Sequence, residues 1–306
     1  MEPRRILILS DGRPGHLNQS IAFARHLGYA YDICPVRFRW RGAKALSYLL
    51  DWCRCYPVAL FETGEYASSA AAVVSAGSET YFANKALARK LGAKSVAIML
   101  PKGYVYNFDL IVAQQHDNPP HRKNILCLPV NLSYVEPQGL AKPTPGKRVV
   151  SLIIGGDSRK SRLEADALRD QLPQVFNLFP EYDVWLTTSR RTSPELESVL
   201  REFDYAFSVY YSERQLNPIP DFLEHSEYVF ITADSTSMIS EAVSFGVAAV
   251  EILAIDPRTK DKKLYRFIKS LENEGCLHLF DGSCGEKRKK ISVAHSLKLV
   301  VDRIYG

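Results

Sequence analysis

Three stretches of this sequence combine glycine, hydroxyl, histidine and carboxylate residues where an apolar run gives way to a helical pattern. The first is Ser10-Asp11-Gly12-Arg13-Pro14-Gly15-His16, directly after Ile6-Leu7-Ile8-Leu9. A loop of this kind sits at the carboxyl end of a buried strand, where α/β sheets bind ligands. Glycines admit close approach of a ligand, and the following helix offers unpaired N–H groups. His16 is a candidate general base with Asp11 beside it, although a cap on the helix would account for it equally. The loop has neither the three glycines of a dinucleotide fingerprint nor the Lys-Ser/Thr of a P-loop.

The second is Gly155-Gly156-Asp157-Ser158, after Val149 to Ile154. Two glycines there suggest backbone N–H groups facing an anion, with a plain tight turn as the alternative. The third runs from Thr232 to Ala242. Ser235, Thr236 and Ser237 can cap a helix and bond phosphate oxygens, and Glu241 lies far enough along to take ribose hydroxyls. Arg190 and Arg191 are candidate phosphate ligands. His116 and Asp117 follow a further strand, Leu110 to Ala113, and could tune a base, but neighbours on an extended loop point apart.

Arg37, Arg39, Trp40, Arg41 and Lys44 interleave charge with aromatic surface ahead of an apolar segment, Ala45 to Cys55. That pattern suits an anionic membrane or a lipid-linked acceptor, or equally a solvated basic loop. No nucleic-acid module is recognisable, so no nucleic-acid partner is expected. There is no Asp-x-Asp triplet to clamp a metal-bound diphosphate, and no Cys-x-x-Cys pair. Neither a metal nor another cofactor is expected, and a leaving diphosphate would be stabilised by N–H groups and dipoles.

The elements that must position these residues form a doubly wound pattern. Strand, glycine loop and helix recur from residue 6 and restart at Val149, after a Pro/Gly-rich stretch. Short strands are expected at 58–61, 95–100, 110–113 and 125–128, and helices at 68–76 and 80–91. In the second half strands are expected at 149–154, 183–188, 206–210, 228–232 and 248–253, with a helix at 162–179 that Pro173 could break. The expected organisation is a Rossmann-like domain over 1–135, a linker over 136–147 and a second Rossmann-like domain over 148–306. The last helix could pack back on the first domain. The 306 residues are enough for two cores. Residues 1–146 carry 17 basic and 10 acidic side chains, and residues 147–306 carry 22 and 24, so the two halves present different surfaces. No apolar run approaches the ~18 residues of a spanning helix, and the N-terminus does not read as a signal peptide. A cytoplasmic protein with reduced thiols is expected, at most peripheral on the inner face of the membrane.

The 10–16 loop with Gln19, Gly155 to Ser158, Thr187 to Thr192, Asn217-Pro218 and above all Thr232 to Ala242 resemble the elongated-mitochondria fission-factor family over most of the chain. Plant members are linked to mitochondrial division. Bacterial members are regarded as glycosyltransferases, some connected with lipooligosaccharide outer-core assembly. The family is similar to GT-B enzymes, including the one that adds N-acetylglucosamine to the lipid-linked peptidoglycan precursor. The resemblance implies two α/β Rossmann-like domains with parallel sheets facing a central cleft. It places His16 where that enzyme has a histidine, Gly155 and Gly156 beside the diphosphate, Ser235 to Ser237 at the diphosphate-facing helix, and Glu241 on ribose. The first loop departs from that pattern in carrying Arg13-Pro14 and fewer glycines.

These readings converge on a metal-independent, inverting glycosyltransferase. It would take a nucleotide sugar on the second domain and a glycolipid or saccharide acceptor on the first. The alternatives are a non-catalytic scaffold for a division or membrane partner, and a nucleotide-sugar epimerase or hydrolase.

Overall fold

A computed structural model describes residues 5–157, 163–253, 262–286 and 288–305, with the side chains of the last helix described to Val301. The chain divides into two compact units. One comprises residues 1–134 with 292–306, and the other residues 135–291.

The first unit is built on a seven-stranded sheet ordered β3-β2-β1-β4-β5-β6-β7. Its strands are β1 (Arg5–Ser10), β2 (Ala30–Phe38), β3 (Phe61–Thr63), β4 (Ala72–Ala76), β5 (Lys94–Ile98), β6 (Leu110–Gln114) and β7 (Ile125–Leu128). All pairings are parallel except β2 with β3 at the edge. Helices α1 (Pro14–Leu27), α2 (Ala43–Trp52) and α3 (Tyr81–Leu91) join them, and α9 (Val293–Tyr305) returns to pack on α1 and β7. Pro14 opens α1, where its missing N–H costs nothing. Gly28 closes the helix at φ +66°, and the N–H groups of Gly28 and Tyr29 cap the carbonyls of Arg25 and Ala24.

The second unit carries a six-stranded sheet ordered β10-β9-β8-β11-β12-β13, parallel throughout. Its strands are β8 (Val149–Ile154), β9 (Asp183–Thr188), β10 (Phe207–Val209), β11 (Ser226–Thr232), β12 (Ala249–Leu253) and β13 (His278–Leu279). Its helices are α4 (Ala165–Leu178), α5 (Pro194–Leu200), α6 (Ile219–His225), α7 (Thr236–Ser244) and α8 (Lys262–Asn273). Every residue of β8 and β12 is buried, as expected of strands covered on both faces. Trp185 of β9 is fully buried against Phe222 and Phe207, with ring centroids 5.3 and 5.9 Å away.

Several expectations need correction. Residues 72–76 form strand β4, not part of a helix over 68–76. Its alanines favour a helix locally, but the segment is buried on all sides between β1 and β5, and that packing decides its form. Residues 58–60 make a single 3₁₀ turn, and the strand begins only at Phe61. Pro173 lies within α4 without ending it. The Pro/Gly-rich stretch 136–147 is tied into the second unit, because the buried Asp221 carboxylate accepts the N–H groups of Gln138, Gly139 and Leu140.

Candidate functional site

In each unit the direction of winding reverses between two adjacent strands, β1 and β4 in the first and β8 and β11 in the second. Ligands bind α/β sheets outside the carboxyl ends of such a pair. All three chemistry-bearing stretches of the sequence fall there.

In the first unit, Asp11 follows β1 and His16 lies in the first turn of α1. Nδ1 of His16 is 2.8 Å from Oδ2 of Asp11, whose carboxylate is almost fully buried. Oδ1 of Asp11 accepts the N–H of Arg13. A carboxylate on Nδ1 fixes the proton there and leaves Nε2 as the basic nitrogen. No described residue bonds Nε2. The loop after β4 closes over this pair. Gly77 has φ +87°, and a Cβ there would fall 2.4 Å from the His16 ring, so only glycine fits on both counts. Sequence reasoning passed over Gly77. Its signal is Ala76-Gly77-Ser78-Glu79-Thr80 between a buried strand and a helix, the same grammar as the first loop.

His116 and Asp117 form a 3₁₀ turn after β6. Their side chains make no short bond: His116 Nε2 lies 4.0 Å from Asp117 Oδ2, and Asp117 takes Lys102 at 3.1 Å. Asp117 and Asp11 both raise the pKa of Tyr81, although burial is the larger cause. The Tyr81 hydroxyl donates to the carbonyl of Ile98 at the end of β5.

In the second unit the glycine loop is filled by the protein's own atoms. A Cβ on Gly155 would meet both carboxylate oxygens of Asp234 at 2.1 Å, and one on Gly156 would meet the Arg191 carbonyl at 2.0 Å. The Gly156 N–H donates to Asp234 and the Gly155 N–H to Thr232. Asp234 also takes the Thr232 hydroxyl at 2.6 Å and the Arg191 guanidinium at 2.6 Å. The expectation that both glycine N–H groups face a ligand anion is therefore corrected. These donors are engaged by side chains, and the glycines serve a close approach within the protein.

Asp234, a residue outside the predicted site set, is the clamp of this loop. It joins the ends of β8 and β11 to the loop after β9. Arg191 is half-buried, and its Nη1 reaches the carbonyls of Gly156 and Asp157. Arg190 is exposed and pairs with no described carboxylate. Oδ1 of Asp157 accepts the Leu163 N–H. Ser158 lies outside the described residues.

Ser235 caps α7, accepting the N–H of Met238 at 3.4 Å, and Thr236 and Ser237 form the first turn. Glu241 lies on α7 without a hydrogen bond or ion pair to a described residue. Burial alone pushes its carboxyl up to about 7. An uncompensated carboxyl near a switch point is a ligand-seeking group by its chemistry.

The basic stretch is less free than its sequence suggests. Lys44 reaches Ser78 at 2.9 Å and Glu79 at 2.6 Å, and Arg37 and Arg39 share Glu62. Lys44 is thus committed to the loop after β4. Trp40 and Arg41 are exposed.

A family model described as mitochondrial fission ELM1 matches residues 14–298. The chain belongs to this family. It is 24% identical to the uncharacterized protein RP120 of Rickettsia prowazekii (strain Madrid E), an alignment covering 91% of each chain. Among solved structures it is similar to the glycotransferase of kitacinnamycin, with a TM-score of 0.52 at 13% identity, over 99% of this chain and 95% of that one. It is similar also to a Listeria monocytogenes protein provisionally described as a UDP-N-acetylglucosamine 2-epimerase, with a TM-score of 0.52 at 12% identity, over 99% and 88%. At these identities the likeness is one of fold: the ELM1-family chain is an α/β protein of GT-B type with two Rossmann-like domains. Among the described residues no helix is long and apolar enough to cross a membrane.

Proposed function

We propose that this protein is a metal-independent glycosyltransferase that takes its sugar from a nucleoside diphosphate. The observations that carry this reading are, within the first unit, the Asp11–His16 pair at its switch point and, within the second unit, the Arg191–Asp234 loop and the buried Glu241 at its own. His16 Nε2 would accept the proton of the acceptor hydroxyl as its oxygen bonds to the anomeric carbon. The bond from that carbon to the diphosphate breaks in the same step, with inversion. The departing diphosphate would be met by the first turn of α7, with Ser235, Thr236 and Ser237, and by the exposed part of Arg191 with Arg190. The Gly155–Asp157 loop supports that surface, and Glu241 would take the ribose hydroxyls. His116 and Asp117 line the same edge of the first sheet and are second candidates for acceptor contacts.

The acceptor is a glycolipid or saccharide of the cell surface, handled by the basic first unit at a membrane's cytoplasmic face. Thermal-shift measurement with uridine, guanosine, cytidine and adenosine diphosphate sugars, in chelator, tests the donor. Stabilisation by one of them is expected, and none would end this reading.

The likeness to an epimerase favours one second reading, chemistry on the nucleotide sugar without an acceptor. Incubation with the stabilising nucleotide sugar alone separates the two. An isomerised or hydrolysed sugar supports the second reading, and an unchanged donor supports transfer.

A further inference from the structure

Over its ten residues helix α2 buries Ala43, Ser47 and Asp51, one face at i, i+4 and i+8, and packs Tyr48 and Leu50 partly against the core, while Leu46, Leu49 and Trp52 point away from it. Ala45, Leu46, Leu49 and Trp52 fall on the opposite stripe at helical spacing. Leu49 is 58% exposed and Trp52 75%. The inward face is held by polar bonds: Ser47 meets the Tyr104 hydroxyl at 2.8 Å, and Asp51 pairs with Lys85 at 2.5 Å and takes the Val105 N–H at 2.6 Å. These bonds hold the helix in this rotation, with Leu46 and Leu49 facing outward. Water-facing stripes of this kind mark interaction surfaces. Two cations flank it, beside the Lys44–Glu79 ion pair at its first turn. Arg41 precedes the helix and Arg54 follows it, both exposed, and neither pairs with a described carboxylate.

We propose that this stripe is a membrane-docking surface. Trp52, Leu49 and Leu46 enter the headgroup boundary of an anionic lipid bilayer, and Arg41 and Arg54 meet its phosphates. An amphipathic helix lying in the interface plane needs this pairing of apolar face and cationic flanks, and tryptophan favours that depth. This deepens the membrane part of the proposed function and is independent of its nucleotide part. Tyr48 and Leu50 supply the helix's apolar contacts with the core, so the exposed Leu46, Leu49 and Trp52 serve nothing inside the unit.

The test is co-sedimentation of the full chain with phosphatidylcholine vesicles containing about 30 mol% phosphatidylglycerol, compared with phosphatidylcholine alone. The protein is expected on the anionic vesicles and to be released as salt rises from about 0.1 to 0.5 M. L49Q/W52Q is expected to weaken partition about tenfold or more, and R41Q/R54Q to remove the preference for anionic lipid. Because all four positions are exposed, the variants should keep the wild-type melting temperature. Tryptophan emission of the unmodified chain gives a second measurement, a blue shift on adding anionic vesicles. Absence of binding and of the shift overturns the proposal, as does binding that L49Q/W52Q leaves unchanged. A dimer that L49Q/W52Q dissociates would show that a second copy covers the face, and also overturns it. Nucleotide stabilisation measured on the same variants separates this outcome from the donor reading: it should persist in every variant whether or not vesicles bind.

Discussion

The Asp234 carboxylate lies where a side chain on Gly155 would have to be, 2.1 Å from the position of its Cβ. The same carboxylate holds the Arg191 guanidinium and the Gly156 N–H, so three loops meet on one buried charge. A charge this enclosed is stable only with its partners in place. Gly155→Ala should therefore destabilise the second unit by about 1–3 kcal/mol through overpacking. Calorimetry on Gly155→Ala, Asp234→Ala and the double variant decides the cause. If the clash is with Asp234, the alanine at 155 costs little once residue 234 is also alanine. Equal costs in both backgrounds would place the strain elsewhere.

The Asp11–His16 pair predicts a split between rate and binding. His16→Ala should lower the rate of sugar transfer by about 10²–10⁴ while leaving nucleotide affinity unchanged. Asp11→Asn keeps the shape but no longer favours the proton on Nδ1, so it should follow in the same direction. Gly77→Ala should reproduce much of the loss without touching either residue, because its methyl would press on the imidazole and its φ of +87° disfavours any side chain. Single-turnover rates beside direct binding measurements check all three. Weakened donor binding by His16→Ala would contradict its assignment as the base.

Much of this was legible in the sequence, and the exceptions have physical causes. The strands at 6–9, 149–154 and 228–232 declare themselves because they are largely buried and almost entirely apolar, with Ser151 and Thr232 the exceptions. β2 does not, because it carries Asp32, Pro35 and Arg37 and packs only partly, with Cys34 and Val36 its only buried residues. β4 reads as helix because the alanines around Val73 and Val74 outweigh their β signal, and its neighbours on both sides make it a strand. Asp11 and His16 were legible as candidates, but their hydrogen bond depends on how α1 leaves the loop. The Gly155-Gly156 pair was placed at the right strand end for the wrong reason: local sequence cannot tell a glycine vacated for a ligand from one vacated for an aspartate 79 residues later. Lys44 shows the same limit, since its partners Ser78 and Glu79 come from the next switch-point loop.

Glu241 predicts a pH dependence whose sign can be worked out. Burial raises its carboxyl from the ordinary 4.5 to about 7, so the folded state holds the proton more tightly than the unfolded chain. The resulting stability is fully present below about 4.5 and is lost as pH rises through about 7, a loss on the order of 3 kcal/mol. Glu241→Gln should remove that dependence and melt higher than wild type above neutrality. Ribose binding runs the other way. The ionised carboxylate is the better acceptor for two hydroxyls, so nucleotide affinity should increase as pH rises through about 7 and become flat in Glu241→Gln. Affinity and melting temperature measured between pH 5.5 and 8.5 on both proteins give the two slopes. Slopes of the same sign would remove Glu241 from the ribose.

The pair beneath α2 sets the last expectation. Lys85 and Asp51 are buried, their charges 2.5 Å apart, with the ammonium 4.4 Å from the Phe108 ring centre. Burial is the main influence on the lysine and lowers its pKa, and Asp51 opposes it. Asp51→Ala leaves that ammonium without its counter-charge and should cost about 3–5 kcal/mol, among the largest single losses in the first unit. Lys85→Met on top of it removes the stranded charge, so the double variant should recover a large part of the loss. The consequence reaches the surface. Asp51 also anchors the last turn of α2 through the Val105 N–H, so Asp51→Ala should free the helix to roll Leu49 and Trp52 inward. Denaturant titration of the three variants measures the first effect, and the quenching of Trp52 by acrylamide measures the second. A helix rotation set only by packing would leave that quenching unchanged.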